Sequence, residues 1–109
     1  MTVTPHERRM RELEAMRGLI ADLDAFVLSS KVGTVPATDV AAAFERHTAR
    51  LPADSKVLAQ FQDLASRLRK GPTRTRVEGI RQISMKLRIK TDQFAQIVEA
   101  RDEKLRHRG

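Results

Sequence analysis

Leu13, Met16, Ile20, Leu23 and Val27 follow one another at alternating intervals of three and four residues, with Met10, Leu19 and Phe26 beside them. That spacing returns each side chain to one side of an α-helix and to neither face of a strand, so a long amphipathic helix is expected over about residues 5–29. The stretch TPHE supplies its start: Thr4 can cap, Pro5 suits the first helical position, and Glu7 stands three residues after the cap. A helix with so wide an apolar side has to bury it. Leu13, Met16, Ile20, Leu23 and Val27 are expected to pack into the domain's own core, with self-association of two copies as the rival use; two to three heptads do not specify a coiled coil.

The same periodicity recurs after each break. SSKVGTVPATD, carrying Gly33 and Pro36, reads as a connector leading to Thr38 or Asp39 as the next cap, and a short helix over about 38–50 would turn Val40, Phe44, Ala41 and His47 inward. LPADS breaks the chain at Pro52, and Asp54 or Ser55 can start a third helix over about 54–70 with Val57, Leu58, Phe61, Leu64, Ala65 and Leu68 on its face, ended by Gly71 and Pro72. TRVE repeats the capping pattern at Thr75 and Glu78, after which Val77, Ile80, Ile83, Ser84 and Leu87 share a face. No alternating run of β-branched residues competes with these helices. With 109 residues, 40% of them apolar, the chain is expected to form one all-α domain, a small helical bundle of four to five helices.

One position falls out of step. In a helix continued past Leu87, Ile89 would lie about 200° around the axis and face water. A turn after Leu87 would return Ile89 to the core, with Thr91 as a new cap and Phe94, Ile97 and Val98 as a new apolar face, so two helices are expected between about 75 and 106. The stretch IRQISMKLRIKTDQFAQIVE then resembles the helix-turn-helix unit of DNA-binding proteins. That unit has apolar residues at its fourth, eighth, tenth, fifteenth and eighteenth positions and a small one at the fifth; counted from Ile80 these are Ile83, Leu87, Ile89, Phe94 and Ile97, with Ser84 as the small residue. The departure is at the turn, where the family has glycine and this chain has Arg88. The resemblance covers about 20 of the 109 residues. It implies that the helix beginning near Thr91 lies in the major groove of double-stranded DNA, with Gln93 and Gln96 reading bases. Lys86, Arg88, Lys90 and Thr91 would hold phosphates, and Arg74, Arg76 and Arg81 would extend that contact. Asp92 counts against this, since a carboxylate beside phosphates costs affinity unless it caps the helix or accepts from cytosine.

Charge points the same way. Nine basic residues stand against Glu78 alone between Arg67 and Lys90, and the rest of a chain of net charge +7 is close to neutral. A field concentrated in this manner attracts polyanions, nucleic acid first and acidic protein surfaces second.

Catalysis finds little support. His6, His47 and His107 lie far apart with no partner at a metal-ligand spacing, no glycine-rich phosphate loop is present, and Asp22 and Asp24, two residues apart, fall on different sides of their helix. No enzyme activity, cofactor or metal is therefore expected. Phe26, Phe44, Phe61 and Phe94, one to a helix, read as core anchors rather than base-stacking platforms. The absence of cysteine fits a reducing compartment, and no apolar run approaches the roughly 20 residues that span a bilayer, so a soluble cytoplasmic protein without a membrane partner is expected. Two readings remain. The first is a small basic DNA-binding protein, dimeric where the first helix self-associates, acting as a regulator or a plasmid or phage DNA-handling factor. The second is a helical protein-binding module, such as an adaptor, inhibitor or secretion accessory factor, docking through its amphipathic first helix or its basic segment. The turn at Arg88–Lys90 separates them, because a DNA reader needs it and an adaptor does not.

Overall fold

The chain starts its first helix where the capping signal stands: the Thr4 Oγ1 accepts the Glu7 N–H at 3.1 Å. A computed structural model describes residues 4–68 and 74–107, and the elements follow as α1 (Pro5–Ser29), β1 (Thr34–Pro36), α2 (Ala37–Thr48), α3 (Lys56–Leu68), β2 (Arg74–Arg76) and α4 (Val77–His107). Ser55 opens α3 by accepting the Val57 N–H on its Oγ at 3.1 Å. α2 begins at Ala37, ahead of Thr38 and Asp39; Pro36 holds the cap position without a side-chain bond, and Asp39 stands in the first turn, where its charge favours the helix dipole. The ending of α3 at Gly71 and Pro72 lies outside the described residues.

The connector after α1 does more than connect. β1 pairs antiparallel with β2, placing Val35 opposite Thr75 and Thr34 opposite Arg76. Gly33 enters this ribbon at φ 77°, a left-handed conformation that glycine adopts without strain. Thr75 therefore sits buried in a strand instead of capping α4, whose first N–H, that of Val77, donates to the Gly33 carbonyl at 2.9 Å. The ribbon thus ties the end of α1 to the beginning of α4, and the two long helices, the most extensively packed pair in the molecule, run antiparallel.

The core forms where the predicted stripes converge. Leu13, Met16, Ile20 and Leu23 are all buried within the chain, and Val27 packs partly buried against the cluster. This stripe is spent inside the domain, so the self-association expected as its rival use is not open to it. Phe44 of α2 and Phe61 of α3 meet edge to face, with centroids 6.5 Å apart and planes at 89°, while Phe26 and Phe94 lie at the margin of the same cluster.

α4 corrects the largest expectation. It is one unbroken helix of 31 residues, and the turn after Leu87 is not formed. No non-glycine residue among those described, Arg88 included, has a positive φ. Ile80, Ile83, Ser84, Leu87, Thr91 and Val98 are buried at regular helical spacing, with Phe94 partly buried between them. Thr91 is the reason the pattern survives: its Oγ1 donates to the Leu87 carbonyl at 2.6 Å, which lets a polar side chain occupy a core position of a continuous helix. Ile89 consequently points to water.

Candidate interaction surface

Three side chains on α1 and its neighbours fix how α4 is presented. Asp24 accepts from the Ser84 hydroxyl at 2.6 Å and pairs with the Arg88 guanidinium, clamping α1 to α4. Ser84, the small residue of the expected unit, is 2% exposed and lies against α1. Asp22, two residues away, turns toward α2, where it meets His47 Nε2 at 2.7 Å and Arg46 at 3.0 Å. The two carboxylates serve different helices, as their angular separation requires.

A buried histidine on a carboxylate is the arrangement a general base uses, so its free nitrogen decides the matter. His47 Nδ1 is buried without a hydrogen-bond partner and faces the backbone of α1 at Gly18, where a Cβ would stand 2.9 Å from it. A substrate has no room there. Among the described residues, no group of three or more His, Cys, Asp or Glu is placed to hold a metal ion, and no helix is long and apolar enough to cross a membrane.

The residues expected to contact DNA are divided by the structure. Thr91 is buried and its hydroxyl is used within the helix, so it cannot reach a phosphate. Arg88 is engaged with Asp24, although its side chain remains 56% exposed. Arg74 donates from Nε to the Thr34 hydroxyl at 2.9 Å and supports the ribbon. Arg74 and Arg76, on either side of buried Thr75, project from the same outer side of β2. Arg81, Lys86, Lys90, Gln93 and Gln96 are all exposed along the outer side of α4.

The sequence reading missed what lies among them. Met85, Ile89 and Ile97 are 59%, 60% and 50% exposed on the same helix. At 100° per residue Met85, Ile89 and Gln96 fall within about 40° of one another, and Ile97 lies about 80° further round from Ile89. Isolated apolar side chains on a surface are ordinary, but three on one outer side, opposite a fully used inner side, form a patch. Continuing the phase of Ile80, Ile83 and Leu87 through Thr91 would have revealed it. Leu28 and Val32 are likewise exposed, at the far end of α1.

Compared with family models, curated proteins and solved structures, the chain has no match.

Proposed function

We propose that the chain is a non-enzymatic helical interaction module that docks a partner helix along the outer side of α4. The observation that carries this reading is the exposure of Met85, Ile89 and Ile97 on an unbroken helix whose opposite side is already packed. Apolar groups at that exposure add little to folding and invite association, and an unbroken amphipathic helix is the usual recognition element for another helix. Gln93 and Gln96 border the apolar groups and supply polar contacts beside them. The test is a photo-crosslinking side chain placed at Gln93 in cells, with Arg67 on the exposed side of α3 as the control position. Discrete protein adducts at residue 93 and none at residue 67 are expected. Identical adducts from both positions, or none from residue 93, would overturn the reading.

A second reading rests on charge. Arg74, Arg76, Lys86 and Lys90 are exposed on the ribbon and on α4, and such cations bind the phosphates of duplex DNA without reading its sequence. In that case no helix enters the major groove as a recognition helix. Fluorescence anisotropy with a labelled random duplex at about 50 and about 200 mM salt is the check, because phosphate-driven binding collapses over that range.

A further inference from the structure

We infer that the helix covering the outer side of α4 is α4 of a second copy, running antiparallel. This rests on the docking reading above and names its partner. The ground for it is the order of charges along one edge of the exposed side. Arg81, Arg88, Asp92 and Glu99 are all exposed and fall within about 40° of one another around the helix. When two identical helices lie antiparallel about a twofold axis, the same edge of each meets, and residues equidistant from the axis stand level. Arg81 and Glu99 are equidistant from position 90, and so are Arg88 and Asp92. A single axis at Lys90 therefore sets Arg81 against Glu99 of the second copy and Arg88 against its Asp92, each pair occurring twice. In a parallel pairing this edge meets the opposite edge of the second copy instead, so neither of these matches forms.

The apolar groups agree with that axis. Ile89 lies one residue from it, so the two copies of Ile89 are offset by about 3 Å along the helices and touch at the centre. Met85 comes level with Ala95 of the second copy, next to its Gln96 and Ile97, extending the contact outward on both sides. Arg81, Asp92 and Glu99 form no ion pair within the chain among the described residues, and are free for this use. Arg88 meets Asp24 through one nitrogen of a guanidinium that has five donors, and over half its side chain surface stays open. The opposite edge carries Lys86 and Lys90, which form no ion pair among the described residues. The twofold axis gathers both copies of these lysines on one side of the pair, a like-charge contact that weakens association at low salt.

The experiment is sedimentation velocity of the purified full chain from about 5 to about 500 µM at physiological salt, a range that covers associations of modest strength. A monomer–dimer equilibrium is expected, weakened at least about tenfold by Ile89→Glu, which buries a charge at the centre. Arg81→Glu should weaken it about tenfold by placing like charges at two contacts, and Arg81→Glu combined with Glu99→Arg should restore it to within about threefold. Circular dichroism and thermal melting establish that each variant is folded. A parent that stays monomeric to the highest concentration, or a dimer indifferent to Ile89→Glu and to the charge swap, overturns the inference. If the chain is monomeric while residue 93 crosslinks to a different protein, self-pairing fails and the docking surface stands; if residue 93 crosslinks to nothing, both fail.

Discussion

Gly18 and His47 are in direct contact: a Cβ built on Gly18 would stand 2.6 Å from the imidazole Cε1, closer than unbonded carbon atoms approach. The ring cannot simply move aside, because Nε2 is held by Asp22 and the whole side chain is buried. Two effects oppose each other in Gly18→Ala. Alanine is favoured over glycine within a helix by about 1 kcal/mol, whereas overpacking a buried site costs about 1–3 kcal/mol. The clash should win, so Gly18→Ala is expected to destabilise the chain by about 1 kcal/mol. In a His47→Ala background the same substitution should instead stabilise by up to about 1 kcal/mol. Urea denaturation of the four proteins of this cycle measures the sign change; stabilisation in both backgrounds would show that the ring does not constrain residue 18.

Asp24 separates two contributions to the α1–α4 contact. Asparagine at this position retains an acceptor for the Ser84 hydroxyl and gives up the charge facing Arg88, a pair whose members are both partly exposed. Alanine removes both and leaves the Ser84 hydroxyl, on a side chain that is almost wholly buried, without its acceptor. Asp24→Asn is therefore expected to cost at most about 1 kcal/mol and Asp24→Ala about 1–3 kcal/mol. Equal losses in chemical denaturation would mean that the ion pair, not the buried hydrogen bond, holds the helices together.

The helices and the core were legible in the sequence because their signals are local. Thr4 and Ser55 stand at helix starts, and the apolar stripe of α1 is buried as its spacing implies. The ribbon was not legible: strands of three residues show no alternation, and Val35 meets Thr75 only through a pairing across the whole of α2 and α3. Thr91 misled for a different reason. Threonine has the same hydroxyl whether it caps a new helix or bonds back one turn to Leu87, and only the continued burial of Val98 on the same side distinguishes the two. Once Thr91 is read as a core position, Ile89 becomes an outward residue and Met85 and Ile97 join it. The candidate surface was thus hidden by one polar residue in the inner stripe. The Gly18–His47 contact carries no sequence signal at all, since it depends on where two helices cross.

Arg8 and Asp54 tie α1 to the segment before α3 at 2.8 Å. The guanidinium holds the Asp54 carboxyl below the usual carboxylate range, first by the hydrogen bond and then by its charge. A carboxyl lowered on folding contributes stability that is present above its unfolded pKa and is lost as pH falls through the folded one. The parent chain should accordingly lose melting temperature more steeply than Asp54→Asn on acidification from about pH 6 to about pH 3. The difference should be small and shrink further in high salt, because both groups face solvent. Parallel melting curves across that range would mean that the pair contributes nothing.

The charged reading of the surface is tested most cleanly at Arg76. Arg74 stands on the same side of β2, but it also holds the Thr34 hydroxyl, so its removal perturbs the ribbon together with any phosphate contact. Arg76 is exposed and makes no ion pair among the described residues, which leaves its substitution free of that confusion. If duplex DNA binds here, Arg76→Ala should reduce the magnitude of the salt slope of binding by about one, as the loss of one phosphate contact requires, without altering thermal stability. Gln93→Ala should leave sequence preference unchanged, because a continuous α4 offers no recognition helix whose first turn could place Gln93 against base edges. A slope unaffected by Arg76→Ala would remove the ribbon from the binding surface, and a changed sequence preference in Gln93→Ala would mean that α4 reads bases along its side after all.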